Sequence, residues 1–103
     1  MKDTIQKIEI WAENRNLIDG ATQSAQYEKL LEEIGELGRA LIEDCDADVA
    51  DAIGDCVVVL TILAKQRFGQ DGGNIESCVD AAYSEIKDRT GKMVNGVFVK
   101  DVA

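Results

Sequence analysis

Two groups of carboxylates lie at helical spacing in the middle of this 103-residue chain. The first group is Glu32, Glu33 and Glu36, whose spacing of three and four residues places pairs of them on neighbouring positions of a helix. Like charges so placed repel each other and destabilise the helix unless a cation neutralises them. A run of this kind also occurs on solvated helix faces, so the first group alone does not define a site.

The second group, Asp48, Asp51 and Asp55, is also spaced three and four residues apart. At about 100° per residue its members fall within roughly 60° of each other on a helix. Apolar residues continue the same face along the chain, namely Val58, Val59 and Ile62. These aspartates are therefore predicted to point inward, toward a neighbouring helix, rather than to solvent.

The two groups meet if their helices pack antiparallel through a short turn around residues 45–47. Four or more carboxylates would then surround one small volume, and their repulsion requires a hard divalent cation. Oxygen-only ligands select Mg²⁺, Mn²⁺ or Ca²⁺. Carboxylates on helices are stiffer than a calcium-binding loop, which favours Mg²⁺ held partly by water and a substrate phosphate, with Mn²⁺ as a substitute.

Composition excludes several classes of function. The chain carries 20 acidic and 11 basic residues, a net charge of −9, so a broad basic face for duplex nucleic acid is not expected. Histidine is absent, which excludes histidine-based triads and metal sites. The three cysteines form no CxxC pair. No apolar run is long enough for a membrane span, and no signal peptide is recognisable, so we expect a cytoplasmic protein without membrane contact.

Helical periodicity, together with the glycines that separate the periodic segments, predicts four helices. They cover about residues 3–16, 23–43, 46 or 48 to 68, and 74–88. Thr22 or Ser24 is expected to cap the second helix. Its predicted apolar stripe, with Glu33 and Glu36 toward one edge, is Tyr27, Leu30, Leu31, Ile34, Leu37 and Leu41. The third helix is apolar all round in its second half, which indicates a buried, central position.

The last residues change character, because Asn95-Gly96 separates two short β-prone runs and predicts a hairpin. We therefore expect one all-α domain over residues 1–103, a four-helix bundle with a short C-terminal β-hairpin. A domain of this size with an all-round apolar helix also indicates more than one subunit.

Three further features are candidates for substrate contacts. Lys87, Arg89 and Lys92 form a basic group in an acidic chain, suited to phosphates, although basic residues near a helix C-terminus are also favoured by the helix dipole. Trp11 is the only tryptophan and is either a core residue or a platform for a base. Asn14 either contacts a base edge or belongs to the end of the first helix.

These motifs resemble those of the MazG-like nucleotide pyrophosphohydrolases. Residues 29–37, KLLEEIGEL, look like the family's EExxE motif, and residues 51–55, DAIGD, before an apolar helix look like its ExxD motif. Residues 10–17, and residues 85–89 through 96–100, are similar to single-domain members common in phages. The resemblance covers nearly the whole chain.

The resemblance implies an all-α fold, a homodimer or homotetramer, and magnesium-dependent cleavage of a nucleoside triphosphate to a nucleoside monophosphate and pyrophosphate. It makes Glu33, Glu36 and Asp55 magnesium ligands, and Glu32 a further ligand or the base that orients water. It also implies phosphate contacts by the basic segment, and the host cytoplasm as location for a phage-encoded chain.

The chain departs from the family pattern at two positions. Ala52 stands where the second motif has Glu, so Asp51 or Asp48 is left to supply the fourth carboxylate. Ser84 stands where many members have Asn.

Since phosphoryl transfer depends mainly on positioning and charge neutralisation, no histidine or cysteine nucleophile is required. The alternative is a non-catalytic acidic helical module that binds a metal structurally or a basic partner.

Overall fold

Residues 2–102, the part of the chain described by this computed structural model, form four α-helices followed by a β-hairpin. The helices are α1 (Lys2–Asn14), α2 (Gln23–Ile42), α3 (Asp46–Phe68) and α4 (Ile75–Ile86), and the strands are β1 (Gly91–Val94) and β2 (Val97–Lys100). The predicted all-α class and the C-terminal hairpin are confirmed. No helix among these residues has the length and apolar character required to cross a membrane.

Local signals in the sequence explain three of the helix boundaries. Thr22 caps α2, because the backbone N–H of Ala25 donates to Thr22 Oγ1 at 3.0 Å. Asn74 and Ser77 form a reciprocal capping box at the start of α4. The first helix ends earlier than predicted, since Asn16 adopts a left-handed backbone with φ of 57° and cannot continue it.

Helix α3 is the centre of the fold, and α1, α2 and α4 all pack against it. Its buried residues include Val59, Thr61 and Ile62, as the all-round apolar sequence predicts. A short turn, in which Asp44 has a φ of 54°, joins α2 to α3. The two helices share the most extensive interface between helices in residues 2–102, and this interface positions the acidic residues.

The face of α2 that packs on α3 differs from the predicted stripe. Gln26, Glu33 and Ala40, spaced seven residues apart, are its buried residues. Leu30 and Leu37 are half-buried, but four of the predicted core residues are exposed, namely Tyr27, Leu31, Ile34 and Leu41. Burial follows the side that the short connecting turn presents to α3, not the most apolar side. Glu33 is thus central in the interface rather than at one edge.

The chain from α4 onward is loosely attached to the rest, with α4 packed on α3. We call residues 75–100 the C-terminal arm. Within this fully described segment no residue is buried, in the helix or in either strand. Asn95 and Gly96 have φ of 51° and 81°, which suits a tight hairpin turn, and Met93 pairs with Phe98 across the strands. The radius of gyration is 16.1 Å, whereas a compact domain of about 100 residues has a value near 13 Å.

Candidate metal centre

Three carboxylates from α2 and α3 converge in the middle of the interface. One carboxylate oxygen from each of Glu33, Glu36 and Asp55 lies within 4.8 Å of the other two. Glu33 and Glu36 are neighbours on one side of α2, and Asp55 faces them from α3. The meeting of the two acidic groups that the sequence predicts is therefore present, with three members rather than four. We call these three residues the carboxylate cluster.

Glu33 is the member that most requires a cation. It is only 6% exposed. Its Oε1 lies 3.4 Å from Lys29 Nζ. Its other carboxylate oxygen, Oε2, is buried and has no hydrogen-bond partner among residues 2–102. A buried carboxylate oxygen without a donor or cation destabilises the fold, because it has lost its hydrogen bonds to water and has formed no others. A metal ion is the kind of ligand that this oxygen lacks.

The pKa of Asp55 indicates the same excess of negative charge. Burial is the main cause that raises the pKa of Asp55, and the charges of Asp51 and then Glu33 raise it further. Lys29 opposes them but does not cancel them. The ionised cluster is therefore short of positive charge, and a divalent cation would favour the ionised form.

Lys29 is a site residue that the sequence analysis missed. Its Nζ donates to Glu32 Oε2 at 3.3 Å and lies 3.4 Å from Glu33 Oε1. The hydrogen bonds to Glu32 and then to Glu33 raise the pKa of Lys29. The signal was its place three and four residues before those glutamates. Glu32 itself is exposed, pairs with Lys29 and is not a member of the carboxylate cluster.

Asp48 and Asp51 lie on the side of the cluster nearer the α2–α3 turn. Both line a small cavity of about 170 Å³ together with Glu36, Arg39, Glu43 and others. Of the two aspartates, Asp51 raises the pKa of Asp55 through its negative charge, and Asp48 is not among the causes of that rise. Ala52, where the resembled motif has Glu, is 4% exposed against α2. Asp51 is thus the better placed of the two to act as a fourth carboxylate.

A second cavity adjoins the other side of Asp55. It has a volume of about 460 Å³ and is lined by residues from α1 and α3, namely Thr4, Lys7, Ile8, Trp11, Asp55 and Val58. Trp11 is 44% exposed and is therefore not a core residue. The Arg15 guanidinium lies 4.4 Å from the centre of the Trp11 ring. Lys7 was missed from the sequence, where its only signal is a position one turn before Trp11.

The remaining sequence candidates do not join these residues within one copy of the chain. Asn14 ends α1, is exposed and lines neither of the two cavities beside the cluster. Lys87, Arg89 and Lys92 are exposed on the C-terminal arm and line neither cavity. The expected contact of this basic group with a substrate held at the cluster is therefore not made within a single copy.

The chain is similar to a protein encoded by a phage. The chain is 45% identical over 67 residues to an "Uncharacterized 18.2 kDa protein in rep-hol intergenic region" of Haemophilus phage HP1 (strain HP1c1). The match covers 65% of this chain and 41% of the phage protein, so this chain spans less than half of that relative's length. No model of a known protein family matches the chain. No solved structure matches it either.

Proposed function

We propose that this protein is a magnesium-dependent nucleoside triphosphate pyrophosphohydrolase, which cleaves a ribo- or deoxyribonucleotide to its monophosphate and pyrophosphate. The observation that carries the proposal is the carboxylate cluster, with Glu33, Glu36 and Asp55 in mutual reach and one buried oxygen of Glu33 without a partner. The resemblance of the two motifs to MazG-like enzymes supplies the reaction.

The donor set fits Mg²⁺ or Mn²⁺. Glu33, Glu36 and Asp55 would hold the ion, and Asp51 is the candidate for a fourth, outer carboxylate. All of these donors are oxygens on rigid helices, which suits a small, hard cation that keeps part of its water shell. When bound, the ion would neutralise phosphate charge and lower the pKa of a coordinated water.

The protein side chains would orient the reactants. Glu32 is exposed beside the cluster and outside it, so it fits the role of a base that accepts a proton from the attacking water better than that of a metal ligand. Water adds to one phosphorus, the anhydride bond breaks, and pyrophosphate leaves. Lys29, which already faces two glutamates, is placed to contact a phosphate at the rim.

The cavity of Lys7, Trp11 and Asp55 is the candidate position for the nucleoside. Its walls combine an exposed aromatic ring with aliphatic side chains, and it borders the cluster through Asp55. A base can stack on Trp11, while Lys7 offers a positive charge to the phosphates. Asn14, at the end of the same helix, remains a candidate for a polar contact with the base.

The biological setting is part of the proposal. The phage relative supports a phage origin for this chain. As part of the proposal, such a protein would act on nucleotides in the host cytoplasm. A homodimer or homotetramer is expected, because a single copy leaves many large apolar side chains exposed.

Calorimetry with a non-hydrolysable triphosphate separates this proposal from the alternative of a non-catalytic acidic module. The enzyme should bind the nucleotide when Mg²⁺ is present and fail to bind it in EDTA. Glu36→Gln should lose that binding, while Glu28→Gln, an exposed glutamate on the same helix, serves as the matched control. A protein that ignores the nucleotide with Mg²⁺ present would be an acidic module instead.

A further inference from the structure

The indole ring of Trp11 is held by Arg15, which lies one helical turn further along the chain. The guanidinium carbon of Arg15 lies 4.4 Å from the centre of the ring, a distance typical of a cation–π contact. Its Nη1 also donates to the backbone carbonyl oxygen of Trp11 at 3.1 Å. The hydrogen bond fixes the guanidinium to the helix, and the stacking contact then restricts the rotation of the ring.

The cavity of about 460 Å³ lined by Trp11 lies on the other side of the ring. Its other residues from α1 all precede Trp11 in the helix, namely Thr4, Lys7 and Ile8. Arg15 follows Trp11 by four residues and does not line this cavity. This order along the helix places the guanidinium and the cavity on opposite sides of the indole ring, so one face of the ring is covered and the other is left for a ligand.

Arg15 has no carboxylate partner that would explain its position. It is exposed and forms no ion pair with a carboxylate of residues 2–102. An arginine side chain held in one place loses rotamer entropy, and its contacts with Trp11 are what offsets that loss. Side-chain pairs at this spacing also stabilise helices on their own, so an effect on a ligand has to be measured separately from an effect on folding.

The cavity offers a base few polar groups besides the ring of Trp11. Its lining residues supply two side-chain donors, the Thr4 hydroxyl and the Lys7 ammonium, and one carboxylate, that of Asp55, which belongs to the cluster. The remaining lining side chains are aliphatic. Stacking on the indole ring, rather than hydrogen bonds to base edges, therefore dominates the binding of a base in this cavity. The strength of stacking increases with the area that the base buries, and a purine is larger than a pyrimidine.

From these observations we infer that Arg15 is a positioning residue that holds Trp11 as a one-sided stacking platform, and that this platform selects purine over pyrimidine nucleoside triphosphates. The inference rests on the proposed function for the presence of a nucleotide in this cavity. Arg15 does not touch the base. It orders the ring before the ligand arrives, which lowers the entropy cost of binding, and an ordered ring favours the larger base because more of its face is in contact.

Tryptophan fluorescence tests the positioning role without nucleotide, because Trp11 is the only tryptophan of the chain. In Arg15→Met the fluorescence anisotropy should fall and quenching by acrylamide should rise, since the ring gains motion and its covered face becomes accessible. The helical circular dichroism should remain that of the wild type. Anisotropy and quenching at wild-type values in this variant would overturn the role of Arg15.

Arg67→Met is the matched control for the loss of one positive charge. Arg67 is an exposed arginine in the last turn of α3, and it lines neither of the two cavities beside the carboxylate cluster. Its substitution should leave the anisotropy and the acrylamide quenching of Trp11 unchanged. A change in Arg67→Met as large as that in Arg15→Met would assign the effect to net charge and overturn the positioning role.

Nucleotide analogues with a methylene group between the α and β phosphates test the base selectivity, because they cannot be cleaved at that bond. Calorimetry with Mg²⁺ should give lower dissociation constants for the adenosine and guanosine analogues than for the cytidine and uridine analogues. Arg15→Met should lose about two- to fivefold in affinity for the purine analogues and less for the pyrimidine analogues, whereas Arg67→Met should match the wild type. Equal affinities of the wild type for both classes, or an unchanged ratio in Arg15→Met, would overturn the inference.

Comparison of binding with turnover separates this inference from the proposed function. A wild type that prefers purine analogues but cleaves no triphosphate would refute the hydrolase and support the selectivity. A wild type that cleaves triphosphates but binds pyrimidine analogues more tightly would support the hydrolase and overturn the selectivity. Failure to bind any analogue with Mg²⁺ present would overturn both, while the fluorescence measurements without nucleotide still decide whether Arg15 holds Trp11.

Discussion

Lys29 Nζ lies 3.4 Å from Glu33 Oε1, while the other carboxylate oxygen of Glu33 is buried without a partner. The ammonium thus neutralises one side of a glutamate that the α2–α3 interface has removed from water. One carboxylate oxygen of Glu33 also lies within 4.8 Å of an oxygen of Glu36 and of an oxygen of Asp55. In the proposed function, the Lys29 ammonium and a metal ion would both neutralise the charge of Glu33.

Removal of Lys29 should therefore strengthen metal binding and weaken substrate binding. Lys29→Met deletes a competing positive charge, so the Mg²⁺ dissociation constant without nucleotide should fall by up to about fivefold. The KM for the triphosphate should rise, since a phosphate contact is lost. Calorimetry measures the first effect and steady-state kinetics the second. Weaker Mg²⁺ binding in this variant would show that Lys29 supports the metal site instead of competing with it.

Glu33→Gln should raise the stability of the metal-free protein and weaken its binding of Mg²⁺. The amide keeps the shape of the side chain but removes a buried charge, so the free energy of unfolding in EDTA should rise by about 1 kcal/mol. Binding of Mg²⁺ should weaken by at least about 100-fold. Urea denaturation with and without Mg²⁺ measures both effects.

Glu28→Gln is the matched control, because Glu28 is exposed on the same helix. It should change stability by less than about 0.5 kcal/mol and leave Mg²⁺ binding unchanged. A large loss of stability in Glu33→Gln without metal would contradict the assignment of Glu33 as an uncompensated buried charge.

The raised pKa of Asp55 predicts how stability and metal affinity depend on pH. In the metal-free protein the folded state retains the Asp55 proton above 3.8, the ordinary pKa, where the unfolded chain has lost it. Stability should therefore fall as pH rises through the window between 3.8 and the raised folded pKa. Mg²⁺ binds the ionised carboxylate, so its affinity should increase with pH over the same window.

Asp55→Asn provides the comparison for this pH dependence. Without an ionisable group at position 55, the metal-free variant should lack the loss of stability between pH 3.8 and the raised folded pKa of the wild type. Urea midpoints across pH measure the difference between the two proteins. Identical pH profiles would assign the effect to other carboxylates of the α2–α3 interface.

Trp11→Ala should raise KM without a proportional fall in kcat, because a base platform acts in binding and not at the reacting phosphorus. We expect a loss of about 1–3 kcal/mol in binding. Trp11→Phe, which retains an aromatic face, should recover most of it. A fall in kcat alone in Trp11→Ala, with KM unchanged, would place Trp11 outside the substrate site.

Much of this structure was predictable from the sequence because its signals are local. The Asn95-Gly96 turn, the cap by Thr22 and the apolar run of α3 each depend on a few adjacent residues. The two spacings of carboxylates predicted the cluster, because helical periodicity and an antiparallel turn suffice to bring Glu33 and Asp55 together.

The rotation of α2 was not predictable in the same way. Apolar periodicity favoured the row of Leu31 and Ile34, whereas the packed row contains Glu33 and Ala40. Rotation is set by the connecting turn and by contacts with α3, which lie beyond any one segment. Lys29 was overlooked because a single lysine near glutamates is common on helix surfaces, and only burial of Glu33 distinguishes this pair.

The identity of the products tests the central claim most directly. Phosphorus NMR of a panel of ribo- and deoxyribonucleoside triphosphates, incubated with the wild type and Mg²⁺, identifies which anhydride bond breaks. We predict that at least one nucleotide yields its monophosphate and pyrophosphate, and that EDTA or Glu36→Gln abolishes the reaction. A diphosphate with inorganic phosphate as products, or no product from any nucleotide of the panel, would contradict the proposal.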